Sequence, residues 1–296
     1  VNRGWRSWGP PVLLVLPSMI LIGVFVYGLI GVNINTSLTD QHHRLGGGSF
    51  VGLENYRTLF HDDTFVYSLR NLGIYTVTFV CGTLFFGFLW AWLLEKGVRG
   101  EGGFRAVYLF PMAVSFIASG VVWRWLLNSA EGDRAGGLNR LFENVGLGFL
   151  ANPWWTNETW GIVAIAIPAI WQLSGYVMAL FLAGFRGIPD ELREAARVDG
   201  ASEWQLYRHV LFPQLSPVAL SAIVIAGHMS LKVFDLIMAI AGPTNYTTQV
   251  PATQMWTKFT SGDYATSAAI GTILLCIVAL LIVPYLVYTY RQERRS

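Results

Sequence analysis

The sequence predicts an all-α, polytopic membrane protein with six transmembrane helices. Three observations predict it. Of 296 residues, 53% are hydrophobic and only 13% charged, about half the ~25% charge of an ordinary soluble domain. Six apolar segments, most reaching the ~20 residues that cross a bilayer, are separated by polar stretches rich in Gly and Pro. The 12 Trp and 18 Phe suit aromatic belts at membrane interfaces. The net charge of +2 makes no case for nucleic acid. Cys81 and Cys276 both sit inside apolar segments, where they read as small core side chains and not as a disulfide or metal pair.

The spans follow in order along one transmembrane domain, residues 1–296. Arg3 and Arg6 precede the first, at about 10–33, which has no small-residue cleavage site after it and is read as uncleaved. A polar, Gly-rich segment containing GLENYRTLF leads to the second, about 69–94. The short basic linker Glu95 to Arg105 joins it to the third, about 106–127. A loop carrying Gly136-Gly137 and Pro153-Trp154-Trp155 leads to the fourth, about 160–185. A polar loop, 186–216, precedes the fifth, about 217–241, and a loop with Gly242-Pro243 and Pro251 precedes the sixth, about 265–288. Six spans place both termini on one side. Twelve Lys/Arg (Arg3, Arg6, Lys96, Arg99, Arg105, Arg186, Arg193, Arg197, Arg208, Arg291, Arg294, Arg295) fall on that side. Five (Arg44, Arg57, Arg134, Arg140, Lys258) fall on the other. The excess of positive charge makes the termini and the 186–216 loop cytoplasmic.

That loop is punctuated as two short helices. Pro189 suits a helix start, and Asp190 and Glu191 then sit at the positive end of its dipole. Leu192, Ala195 and Ala196 recur at helical spacing. Asp199-Gly200 is a stop and turn signal, with a positive φ expected at the Gly. Ser202 with Gln205 three residues on reads as a capping box that restarts a helix, with Trp204, Tyr207 and Leu211 on one face and Leu192, Trp204 and Tyr207 exposed to a partner. Pro213 and Pro217 stop or kink its continuation.

EAARVDGASEWQLYRHVLFPQLSP resembles the EAA loop of importer-type ABC permeases, in which EAA is followed by a Gly six residues after the Glu and a Leu/Phe-Pro before the next membrane helix. Glu194, Ala195, Ala196, Gly200, Phe212 and Pro213 match it. Asp199-Gly200-Ala201 and Ile188-Pro189 match its carbohydrate-importer version. VFVYGLIGVNINTSLTD, FVGLENYRTLF, LFPMAVSFIASGVVWRWLL and AGPTNYTTQVPATQMWTKF extend the likeness over nearly the whole chain, toward the first permease subunit of the maltose, trehalose and glycerol-phosphate type. One departure is the outer loop, Ala241-Gly242-Pro243, where that type reads closer to GGGP.

The resemblance implies a permease subunit of a binding-protein-dependent sugar importer in a bacterial or archaeal inner membrane. Its implied partners are a second homologous permease, two nucleotide-binding ATPase subunits, an external sugar-binding protein docking on loops that include Gly46–Tyr67 and Gly242–Gly262, the sugar, and lipid. Glu194, Ala195, Ala196, Asp199, Gly200, Ala201 and Pro213 become the ATPase-coupling residues, with Glu194 in a salt bridge to the ATPase. Tyr176 falls at a sugar-contacting Tyr, and Ser230 and Val233 fall at polar Asn positions.

No G-x-x-x-x-G-K-[ST], His-Glu-x-x-His, Cys-x-x-Cys or nucleophile elbow occurs, so an enzyme is not expected and this chain should bind no cofactor, ATP and Mg belonging to partner subunits. Polar residues inside spans are costly in lipid and mark a substrate path: Gln172, Ser174 and Tyr176 in the fourth, His228, Ser230, Lys232 and Asp235 in the fifth. Gln172, Ser174, Tyr176 and Ser230 together could offer a sugar an aromatic face and hydrogen bonds. On a helix Lys232 and Asp235 lie three apart and can pair, either structurally or functionally. His228 is read as packing against a neighbouring helix. The alternative function is a six-span secondary transporter using Lys232, Asp235 and His228 as a proton relay.

Overall fold

The computed structural model describes residues 3–41, 48–128, 130, 134 and 136–293. Gly46 and Gly47 of the outer loop, and Arg44, Arg294 and Arg295 of the charge count, lie outside them. Helices α1 (Arg3–Ile22) and α2 (Leu29–Ser37) run continuously through a widened turn, Gly23–Gly28, and α3 (Glu54–His61) precedes the long α4 (Asp63–Glu95). Then come α5 (Glu101–Leu109), α6 (Phe116–Leu126), α7 (Gly137–Asn144) and α8 (Gly161–Arg186). The polar loop gives α9 (Asp190–Val198), α10 (Glu203–Leu206) and α11 (Phe212–Gln214), followed by α12 (Ser216–Leu231) and α13 (Asp235–Ile240). The chain ends with α14 (Pro251–Thr260), inside what reads from sequence as a loop, and α15 (Tyr264–Glu293). Four of these helical stretches are long and apolar enough to cross a membrane, and six if each of two bent pairs counts as one span. The only pairing of extended backbone among the described residues is one bridge, Thr39 with Phe50.

The chain forms two compact units. One comprises residues 1–62 and 255–275. Its α2 turns one stripe, Ile30, Asn33, Thr36 and Ser37, inward, whereas from Pro11 to Leu29 every residue is exposed, Leu13 at 76% and Leu14 at 82%. Such a surface is stable only in hydrocarbon, where every backbone group is satisfied inside the helix. The GLENYRTLF motif closes the end of α2: Asn55 Nδ2 donates to the carbonyls of Ser37 and Thr39, both at 2.8 Å, and Tyr56 shares a 2.5 Å hydrogen bond with Ser37. Asn33 reaches the start of α15, donating to the Ala268 carbonyl and the Thr272 hydroxyl at 3.1 Å.

The second unit comprises residues 63–254 and 276–296. Its buried centre is α8, packed along α4. A Cβ added at Gly87 would lie 2.6 Å from Val177, and one at Gly82 would strike Ile170, so small residues let the two backbones approach closely. At the far end of α4 from Glu95, Asn71 donates to the Gln249 carbonyl at 2.9 Å and Tyr67 stacks on Tyr246, fixing the Gly242–Pro243 loop.

Two expected spans are broken. The third is bent by 98° between α5 with its short extension to Ala113 and α6. Pro111 supplies no N–H, and Ser115 adopts an extended conformation and caps α6 by accepting from the Ala118 N–H at 3.2 Å. The fifth ends at Lys232 and restarts at Asp235. Its last turn tightens, with Lys232 N–H on Met229 and Val233 N–H on Ser230, both at 3.2 Å, while the Ser230 hydroxyl bonds back to Gly227. Cys81 and Cys276 are free and exposed, which corrects their reading as core residues. The outer face of a membrane helix is apolar too, so hydropathy cannot tell a core position from a lipid-facing one.

Candidate functional site

The polar loop folds by local rules. Asp190 and Glu191 open α9. At its end the Ala201 N–H bonds to the Ala196 carbonyl and the Gly200 N–H to the Arg197 carbonyl, both at 3.0 Å, with Gly200 at φ +80°. This paired closure is a Schellman motif, and it needs a left-handed residue where Gly200 stands. Ser202 and Gln205 then form the reciprocal capping box, the Ser202 N–H donating to Gln205 Oε1 at 2.8 Å. A widened turn at Tyr207–Leu211 follows, and the chain bends by 58° into α12 at Pro213–Pro217.

The loop has an anchored side and an open side. On the anchored side Glu95, at the end of α4, accepts from Arg193 at 2.6 Å and from Tyr207 at 2.5 Å. Arg193 also donates to the Phe185 carbonyl at 3.1 Å. Phe88, Trp92 and Phe185 pack their rings around Tyr207 and Phe212, and Lys96 lies 4.9 Å above the Trp92 ring. Burial, and the hydrogen bond and charge of Glu95, push the Tyr207 phenol above its ordinary range, so it stays a donor. Tyr207 is thus a buried anchor and not the exposed contact that helical spacing predicts. On the open side Val198 is 87% and Trp204 58% exposed. Glu194 is exposed beside them and has no hydrogen-bond or ion-pair partner among the described residues. Ala196, Asp199, Gly200, Ala201 and Gln205 line a shallow groove with His209.

The expected path residues part company. His228, Lys232 and Asp235 line a cavity of about 250 Å³ between α4, α6, α8, α12 and α13, together with Tyr75, Phe79 and Phe116. Lys232 and Asp235 make no ion pair with each other among the described residues, a correction to the helical spacing: the backbone between them is not helical, so the i,i+3 geometry is lost. His228 is half-buried, with Nδ1 buried and lacking a hydrogen-bond partner among the described residues. Ser230 turns away from the cavity, donating to Thr76 on α4 at 3.0 Å or to Gly227 at 2.7 Å. Gln172 donates to the carbonyls of Val114 at 2.8 Å and Pro111 at 3.4 Å, the groups freed where the third span bends. Ser174 faces a separate apolar groove with Trp90, Tyr108 and Trp171, and Tyr176 is half-buried. The structure therefore does not gather Gln172, Ser174, Tyr176 and Ser230 into one pocket. The residues missed from sequence are Tyr75, Phe79 and Phe116, whose aromatic rings are indistinguishable from core by hydropathy. Both span breaks adjoin this cavity, where irregular backbone is tolerated inside a membrane. No cluster of His, Cys, Asp and Glu able to hold a metal ion occurs among the described residues.

Residues 83–294 match the family described as binding-protein-dependent transport system inner membrane component. A probable ABC transporter permease protein of Pyrococcus horikoshii is 41% identical over 96% of this chain and 97% of its own. A xylose/arabinose import permease protein of Haloferax volcanii is 36% identical over 98% of this chain and 89% of its own. Among solved structures, a chain of a bacterial alginate ABC transporter, in complex with an alginate pentasaccharide-bound periplasmic protein, has the same fold with a TM-score of 0.79. It is 21% identical, and the match covers 95% of each chain.

Proposed function

Because this chain belongs to the family of binding-protein-dependent transport system inner membrane components, we propose that it is a sugar-conducting permease subunit of an ATP-driven importer. Its implied assembly is a second homologous permease across a pseudo-twofold axis, two ATPase subunits on the cytoplasmic face and a sugar-loaded binding protein outside. ATP and Mg belong to the ATPase subunits, and this chain binds no cofactor. The twelve-to-five distribution of basic residues supports cytoplasmic termini and a cytoplasmic α9–α10 loop.

The observation that carries this reading is the two-sidedness of the loop. One side is fastened to α4 and α8 through Arg193 and Tyr207. The other offers Glu194, Val198 and Trp204 with nothing upon them. Exposed apolar side chains around a free carboxylate on a rigid helix pair fit a protein groove with a basic residue in it. Glu194 is the ion-pair partner for the ATPase, and closure of the ATPase dimer on ATP moves the loop and rocks the spans from inward- to outward-facing. The cavity at Tyr75, Phe79, Phe116, His228, Lys232 and Asp235 is the sugar path of this subunit, supplying aromatic faces with polar groups between them. Its volume is about 250 Å³, and a transport path needs binding weak enough for the ligand to leave. His228, Lys232 and Asp235 do share that cavity, and it is the match to ABC permeases that favours the importer over the proton-relay alternative.

The test is reconstitution in proteoliposomes with the second permease, ATPase subunits and binding protein. Radiolabelled maltose, trehalose, xylose and arabinose serve as probes. ATP-driven uptake of one of them by the full assembly is expected, with neither ATP binding nor hydrolysis by this chain alone. Uptake by the isolated chain, driven by a proton gradient, overturns the reading.

A further inference from the structure

Glu95 ends α4, and its two carboxylate oxygens go to different helices of the loop. Oε1 accepts from Arg193 on α9, and Oε2 accepts from Tyr207 where α10 passes into its widened turn. Positions 193 and 207 are separated by the Gly200 turn, so one group in the second span fastens both arms of the loop. Arg193 extends the cluster to α8 through the Phe185 carbonyl. Glu95 is 9% and Arg193 16% exposed, so solvent and salt screen the pair little. Hydrogen bonds to an ionised carboxylate are roughly twice as strong as neutral ones, and they fix direction. The rings of Phe88 and Trp92 that also touch the loop's aromatic residues give contact without direction, and such contacts slide. Among the described residues, no other carboxylate outside the loop bonds to α9 or α10.

The chemistry of the cluster meets a mechanical need. The loop is covalently continuous with α8 and α12, the fourth and fifth spans, and drags them when it moves. The second span has no such continuity. We propose that Glu95 is the positioning residue through which displacement of the α9–α10 loop is passed to α4, so that the second span moves with the fourth and fifth and does not slip past them. The proposal rests on the reading of this loop as the ATPase-facing lever. The Tyr207 phenol, held protonated by burial and by the neighbouring carboxylate, serves as donor throughout the physiological range.

The experiment uses the complete assembly in proteoliposomes and measures uptake of the probe sugar that the wild type carries, per ATP hydrolysed. Glu95→Gln keeps the shape and removes the charge. It should lower the ratio by about tenfold, the shift expected from losing a hydrogen bond to a charged group, while the ATPase subunits still co-purify. Tyr207→Phe keeps the ring and should lower the ratio less. The double variant should be no worse than Glu95→Gln, because both act through one carboxylate. Hydrogen exchange of Asp190–Val198 should quicken in Glu95→Gln. An intact Glu95→Gln assembly with the wild-type ratio overturns the proposal, as does a fully additive double variant. If Glu95→Gln fails to assemble, Tyr207→Phe decides: a lowered ratio supports the node and an unchanged one overturns it. Absence of ATP-driven uptake in the wild type would instead reject the functional reading beneath it.

Discussion

Gln172 of α8 donates to the carbonyl of Val114 across 2.8 Å, so the fourth span repairs the break in the third. Bending a helix inside a membrane strips carbonyls of their partners, and no water is at hand to replace them. Gln172→Leu should therefore cost about 1–3 kcal/mol, the penalty of leaving a buried acceptor bare. The check is thermal unfolding of the detergent-solubilised protein. An unchanged midpoint would show that the bend does not depend on this side chain.

Close approach predicts a second sensitive site. A Cβ at Gly175 would overlap the carbonyl oxygen of Tyr108, which is backbone and cannot swing aside. Gly175→Ala should separate α5 from α8 and destabilise by about 1–3 kcal/mol, as overpacking does. Gly73, on α4 with nothing within 4 Å of such a Cβ, provides the comparison: Gly73→Ala should be neutral or mildly stabilising in the same measurement.

Gly200 offers the opposite case, strain without collision. Nothing lies within 4 Å of a Cβ there, but φ is +80°. Gly200→Val should cost the Schellman closure about 1–2 kcal/mol and impair ATP-driven uptake, whereas Gly200→Asn should retain most of it. Equal uptake by the two variants would contradict a conformational role for this turn.

Glu194→Lys should abolish uptake and weaken retention of the ATPase subunits while leaving the chain in the membrane. Glu194 has no partner within the described chain, so its reversal costs the fold about 0.5 kcal/mol or less. Under the proposed coupling role, the loss of function would come from replacing attraction by repulsion toward a basic groove. Normal uptake at matched membrane abundance would remove Glu194 from the interface.

Lys232 and Asp235 give a prediction from the absence of a bond. If they formed a buried ion pair, neutralising either one would strand the other at ~3–5 kcal/mol. Because Lys232 and Asp235 face the cavity and make no ion pair with each other among the described residues, Lys232→Met and Asp235→Asn should each leave the unfolding midpoint nearly unchanged while altering uptake. A large, equal loss of stability in both would restore the pair.

The loop was legible in the sequence because its signals are local. The capping box at Ser202 and Gln205, the acidic first turn at Asp190 and Glu191, and the positive φ of Gly200 each depend on residues a few positions apart. The break in the third span had a readable cause in Pro111 and Ser115, whereas the break after Lys232 contains neither Pro nor Gly. Bonds from Glu95 to Arg193 and Tyr207 join positions 98 and 112 residues apart, and no periodicity announces them. The polar residues of the fourth and fifth spans were conspicuous for their cost in lipid. Hydropathy cannot say which of them satisfy a broken backbone, as Gln172 does, and which face a cavity, as Lys232 does.

The outward-facing apolar side chains of the first span bear on how the protein is made. None of its 18 most apolar residues is buried, and it spans 27 residues, Pro11–Ser37, which is ample to cross a bilayer. Its surface requires none of the later spans in order to enter lipid. The fifth segment differs: α12 is 16 residues long and stops at a charged residue beside an interrupted backbone. It gains a stable place only once α4 and α8 are present to receive Ser230 and the buried Ala222 and Ala226. Biogenesis therefore has a natural order, an early and self-sufficient partitioning of the amino-terminal helix and a later, cooperative docking of the segment that borders the cavity.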